Sequence, residues 1–272
     1  MSGWGAFEPP SALGTRWSIL VTDVDSGRVL LSHDPDAVMN TASVGKIFLL
    51  HRLLAEVDAG TRSLEERVAR RPVEWIDDSG LWYLLQANEL SLYDVAALIG
   101  AVSDNAATNT LCRVVGLPVV QDHTRSLGYT ASGLDDIVRW PRPPGSPPTL
   151  SHGTAEELVR FVSRLLRAED LSTSSADTLQ RWLGAGMDLS MVASAFGLDP
   201  LAHYAYDRGV WLWNKTGTMS TVRADLGVVM SPTRRIAYAV LANWNRGEDG
   251  RDAVLAAMRD IGDLIREDLA SS

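Results

Sequence analysis

Thr41-Ala42-Ser43-Val44-Gly45-Lys46-Ile47-Phe48-Leu49-Leu50 sets a serine and a lysine three residues apart at the entrance of a strongly apolar helix. Three residues is just under one helical turn, so Ser43 and Lys46 share a face and their heads can meet. Beyond them, apolar residues at Ile47, Leu50, Leu54 and Val57 recur at helical period, which predicts a helix buried in a core. Burial gives the pair chemical meaning. A lysine stripped of solvent sheds its proton near neutral pH, and a free amine beside a hydroxyl can act as its base. Alone, the stretch also fits a helix start with a capping serine and a solvated lysine.

Two further stretches bear on the choice. Ser103-Asp104-Asn105 follows the amphipathic run Leu92–Ile99, and Lys215-Thr216-Gly217-Thr218 follows the aromatic, strand-like run Val210–Trp213. In order and spacing the three stretches resemble the active-site signature of class A β-lactamases and penicillin-binding proteins. The resemblance runs from about Trp17 to Leu264. The fold it implies is α/β (α+β): a five-stranded antiparallel sheet with terminal helices, plus an inserted all-α lobe.

The chain's own pattern agrees. Trp17–Val24 reads as a strand, Asp25-Ser26-Gly27 as a turn and Arg28–Ser32 as its hairpin partner. Arg62–Pro72 reads as a charged connection. Helices are expected near Ser91–Val102, Asn105–Val115, Val119–Leu127, Thr154–Arg167 and Ser174–Leu183. Strands return at Trp211–Lys215, Ala224–Met230 and Ile236–Ala242, before an amphipathic helix from about Asp249 to Leu269. Strands at both ends imply a discontinuous sheet lobe, 1–40 with 205–272, and a mainly helical lobe, 41–204, with the active site at their junction. Pro9, Pro10 and Gly14 require any N-terminal helix to be short or irregular.

Composition narrows the function classes. The 272 residues are 46% hydrophobic and 22% charged, ordinary for a globular protein. A net charge of −9 argues against nucleic acid or an anionic membrane as partner. Cys112 is the single cysteine, which excludes an intramolecular disulfide and suits a core position. The five histidines lack metal-ligand spacing, so neither a metal nor another cofactor is expected. Met1 to Pro10 has no basic start and no continuous apolar segment, unlike the leader of a secreted β-lactamase. A cytoplasmic location is the expectation; the trimmed form of a secreted protein is the alternative.

The resemblance implies roles. Ser43 is the nucleophile that forms an acyl-enzyme, and Lys46 its base or relay. The backbone amides of Ser43 and Thr218 form the oxyanion hole. Ser103 passes a proton to the leaving atom, Asn105 holds Lys46 and the substrate amide, and Lys215 orients Ser103 and favours a carboxylate-bearing substrate. Thr216, Gly217, Arg223 and Trp82 are substrate-contact candidates. Arg223 reads equally well as a surface charge pairing Asp225. Trp75 and Trp82 read as a substrate rim or as packing under the Ser-Asp-Asn turn.

One departure stands out. Class A β-lactamases activate their deacylating water with a glutamate that often follows a tryptophan. In the comparable stretch here, Gly133–Pro144, Trp140 is followed by Pro141, and no glutamate occurs from Gln121 to Ala155. Asp135 and Asp136 lie elsewhere in the loop and read as turn residues. The expected activity is therefore a serine hydrolase cleaving an amide or ester of a small molecule, with slow turnover of β-lactams. An acyltransferase and a non-catalytic penicillin-binding sensor are the alternatives.

Overall fold

A computed structural model describes residues 3–203 and 205–271; Met1, Ser2, Tyr204 and Ser272, including the ends of the expected lobes, lie outside the described residues. The strands are β1 (Arg16–Asp23), β2 (Val29–His33), β3 (Met39–Asn40), β4 (Arg67–Ala69), β5 (Glu89–Ser91), β6 (Gly133–Leu134), β7 (Ser151–Gly153), β8 (Trp211–Met219), β9 (Val222–Met230) and β10 (Arg235–Asn243). The helices are α1 (Lys46–Asp58), α2 (Leu92–Val102), α3 (Asn105–Val115), α4 (Leu117–Ser126), α5 (Ala155–Leu166), α6 (Thr173–Gly184) and α7 (Arg251–Ala270). The main sheet has five strands in the order β2-β1-β10-β9-β8, with antiparallel neighbours throughout.

Both faces of this sheet are covered, which explains why β9 and β10 are apolar at nearly every position rather than at every second one. In β10, Ile236, Tyr238, Val240 and Ala242 pack beneath α7 and the 3-10 turn Val192–Phe196, whereas Ala237, Ala239 and Leu241 face the helical core. Helix α1 enters that second core. Ile47, Phe48, Leu49, Leu50, Leu53 and Leu54 are all buried, so the turn Ile47–Leu50 just after Lys46 is apolar around its whole circumference. Each such side chain contributes about 1.5–3 kcal/mol. Helices α2, α3 and α5 begin at side-chain caps: Ser91 accepts from Asp94 N, Asp104 from Ala107 N and Thr154 from Glu157 N.

Several expectations need correction. The prolines and Gly14 limit the N-terminus to two short 3-10 turns, Gly3–Ala6 and Ala12–Gly14, leaving α7 as the α-helix at the chain's ends among the described residues. The Arg62–Pro72 connection contains β4, which pairs with β5. The strand expected to end at Lys215 continues through Met219, because Thr216, Gly217 and Thr218 pair with Asp225, Ala224 and Arg223. Among the described residues, no helix is long and apolar enough to cross a membrane.

Candidate active site

Ser43 lies in a 3-10 turn, Ala42–Gly45, that leads directly into α1. The turn is held from behind by Ser151 on β7. Its hydroxyl donates to Ala42 O (2.5 Å), so it accepts from the Thr41 hydroxyl (2.7 Å) and from Gly45 N (3.3 Å). Ala42, just before the nucleophile candidate, has φ of 49°, a left-handed conformation that surrounding contacts must hold. The front of the turn meets β8. A Cβ on Gly217 would sit 2.0 Å from Thr41 O and 3.1 Å from Ser43 N, so only glycine lets the strand approach this closely.

Lys46 is fully buried. Its Nζ donates to Ser103 O (2.7 Å) and Asn105 Oδ1 (2.8 Å), with Ser103 Oγ at 3.3 Å. Burial, reinforced by the positive charge of Lys215, pushes its pKa well below the ordinary lysine value. The expected direct meeting of Ser43 and Lys46 is not formed: among the described residues the Ser43 hydroxyl has no hydrogen bond, and the amine turns to the Ser-Asp-Asn turn instead. Ser103 caps α2 in the left-handed region, φ 55°. Its Oγ also accepts from Lys215 Nζ (3.0 Å), so one hydroxyl stands between two amines. Burial pushes Lys215 down to about 8, against the charges of Asp188 and Asp225.

The middle residue of this turn is a brace. Asp104 is buried, caps α3 and accepts from the backbone amides of Leu81 and Trp82, both at 2.7 Å. This corrects the assignment of Trp82 to substrate contact. The indole is 0% exposed and donates to Ala87 O (2.8 Å), so it packs under the turn while Leu81 reaches the cleft. Trp75 is half exposed, lies against the Arg70 guanidinium 4.3 Å from its ring centroid, and does not line the cleft.

The cleft has a volume of ≈ 660 Å³, and Ser43, Ser103, Asn105, Lys215, Thr216 and Thr218 all line it. Thr216 O accepts from Lys215 Nζ (2.9 Å) on the free edge of β8. Alternation along an antiparallel ladder turns Thr218 N–H toward the same edge, since Met219 and Val222 flank a two-residue hairpin turn.

Arg223 belongs to neither alternative the sequence allowed. Its Nη1 donates to Met219 O and Val222 O (both 2.8 Å), and its guanidinium lies 5.8 Å from the Trp244 ring centroid, away from the cleft. Asp225 is instead buried, accepting from Asn214 Nδ2 and Val192 N (both 3.0 Å), and burial pushes its pKa up to about 7. A lone carboxylate within the apolar run Ala224–Met230 is the signal that marks it in sequence.

The loop expected to carry a deacylation base offers no free carboxylate. Asp135 pairs with His152 Nδ1 (2.8 Å). Asp136 is buried and pairs with Arg139 and Arg142. Asn109 exchanges two 2.8 Å hydrogen bonds with the backbone of Val138, docking the loop on α3 and presenting Val138 and Trp140 to the cleft.

Residues 10–269 match the family described as the Beta-lactamase enzyme family. Among solved structures, a beta-lactamase from Sphaerobacter thermophilus DSM 20745 is similar, with a TM-score of 0.80 at 26% identity, covering 94% of this chain and 91% of that one. A beta lactamase from Burkholderia vietnamiensis is similar with a TM-score of 0.79 at 23% identity, covering 96% and 93%. PBP-A gives 0.79 at 20%, covering 95% and 91%. The last two likenesses are of fold. The family match spans nearly the whole chain, and the chain accordingly belongs to the beta-lactamase enzyme family, as a serine hydrolase of that superfamily.

Proposed function

We propose that the protein cleaves an amide or ester of a small molecule through an acyl-enzyme on Ser43, and that it releases β-lactam acyl groups slowly. The reaction centre lies where the helical lobe, 41–204, meets the sheet lobe, 1–40 with 205–272. The observation that carries the reading is the fully buried Lys46 amine, held against Ser103 and Asn105 at the base of the cleft. As a neutral amine it takes the Ser43 proton, directly or through a water, while Ser43 attacks the carbonyl. The amides of Ser43 and Thr218 receive the charge that develops on oxygen. Ser103 then carries a proton from Lys46 to the leaving atom. Lys215 holds the Ser103 hydroxyl, and Thr216 and Gly217 present the strand edge to the substrate.

Release is the weak step. With Asp135 and Asp136 committed to His152 and two arginines, the loop wall presents Val138 and Trp140 where a water-activating carboxylate is needed. A missing general base costs about 10²–10⁴-fold. A variant of PBP-A, similar in fold, has been captured as an acyl-enzyme with penicillin G. Incubation with a penicillin should therefore give an intact-protein mass shifted by the whole drug, persisting for many minutes. Fast multiple turnovers with no adduct would overturn the proposal. The same idle acyl group favours a second reading, transfer to an amine or alcohol. Added amines should then divert product from the acid to the amide, and indifference to them would remove that reading.

Lys215 supplies a pH signature. Its pKa of about 8 means that it is cationic below that pH and neutral above it. Acylation by a penicillin, whose carboxylate it attracts, should fall as pH rises through about 8, while a profile flat from pH 7 to 9.5 would count against its role as a cation.

A further inference from the structure

The carboxylate-bearing substrate expected from the sequence needs cations around the cleft, and the structure supplies fewer than expected. Arg223 is turned onto backbone carbonyls and the Trp244 ring. Arg142 lines the opposite wall, but its Nη1 is committed to Asp136, Pro147 O and Thr149 O. Among the described residues Lys215 is the cleft-lining cation with no carboxylate within ion-pair distance, and beside it the cleft is lined by an acid, Asp188.

Asp188 is built into this wall. Its carbonyl accepts from Asn214 Nδ2 (3.2 Å), which ties it to the residue just before Lys215. Its Oδ1 accepts from Ser190 Oγ (2.6 Å) and Ser190 N (3.1 Å), fixing the side chain in a tight turn. Among the described residues its Oδ2 accepts no hydrogen bond and no cation stands within ion-pair distance, although its charge is felt by Lys215 and Arg223 at longer range. The side chain is solvent-exposed at the cleft, and a second acid, Asp78, lines the cleft from the segment before Leu81. In the cleft that Ser43 lines, then, one buried ammonium is opposed by a fixed, solvent-exposed carboxylate.

We infer that Asp188 is a specificity-determining residue: it offsets the pull of Lys215 on a substrate carboxylate and offers a partner to an ammonium group on the part of the substrate lying along β8. The substrate class is an amide or ester bearing an amine there, rather than the carboxylate of a penicillin. This rests on the cleft being the substrate site of the proposed hydrolase.

The test uses three chromogenic esters identical except for one substituent on the leaving group: ammonium, carboxylate or methyl ester. Second-order rate constants are measured for wild type, Asp188→Asn and Asp188→Lys. Asparagine keeps an oxygen for Ser190, so the turn survives while the charge is lost. The ratio of ammonium to carboxylate ester should fall roughly three- to tenfold in Asp188→Asn and further in Asp188→Lys, and the change should shrink with added salt. Equal ratios in all three proteins would overturn the inference.

Binding of the same esters to Ser43→Ala and to its double variant with Asp188→Asn, followed by calorimetry, separates this from the chemistry. If the esters are not cleaved by wild type but the binding preference still moves with Asp188, the hydrolase reading fails while the charge preference assigned to Asp188 survives as a property of binding in the cleft. If cleavage depends on Ser43 while neither rates nor binding respond to Asp188, the reverse holds.

Discussion

Ser43→Ala should lose all covalent labelling by a penicillin and all cleavage of a chromogenic ester, a fall on the order of 10⁶-fold in the rate of the catalysed step. The structure makes this a clean experiment. The Ser43 hydroxyl has no hydrogen bond among the described residues, so its removal leaves no orphaned partner. The 3-10 turn is held by the Ser151 hydroxyl and by the close approach of Gly217, neither of which touches Ser43 Oγ. Melting temperature should stay within a degree or two of wild type. Wild type and Ser43→Ala are both read by intact mass after exposure to drug. Labelling of Ser43→Ala at the wild-type rate would place the reactive group elsewhere and sink the assignment.

Lys46→Met should slow acylation by about 10²–10⁴-fold, the usual loss when a general base is removed. Two effects on stability oppose one another. Methionine ends the desolvation of a buried amine, but leaves Asn105 Oδ1 without its donor, at about 1–3 kcal/mol, and Ser103 O with only the long 3.5 Å bond from the Ser79 hydroxyl. Both acceptors belong to residues that line the cleft, where water can replace the amine, so the net change should be small beside the kinetic one. The time course of adduct formation, followed with thermal unfolding of the same sample, separates the two. A loss below tenfold in a protein that unfolds as wild type does would remove Lys46 from the proton path.

The segments around these residues show why some of the molecule is legible in its sequence and some is not. Helices α2, α3 and α5 lie within about two residues of their expected bounds because caps and apolar period are local signals. The strands of the large sheet were readable for the same reason, although β8 runs four residues further than its aromatic start suggested. The small strands β3, β6 and β7 carry no such signal. Two or three residues long, they exist only because distant segments meet, and with them comes Ser151 behind the nucleophile turn. Trp82 had two readings of equal local merit. The choice between them rested on Asp104, which draws the Leu81 and Trp82 amides onto α3.

By itself, the sequence determined which chemical groups are available and in what order: an alcohol and an amine at a helix entrance, a second alcohol on a helix-ending turn, and a second amine on a strand. It also determined the absence of a glutamate in the 133–144 loop. Only the tertiary structure decided which groups share one cleft and which way each charge faces. Arg223 was turned out, Asp188 brought in, and Asp135 and Asp136 spent on internal partners. Residue type and period are properties of neighbours along the chain. The partner of a charge is set by burial and hydrogen bonding between segments up to a hundred or more residues apart, as with Lys215 and Ser103.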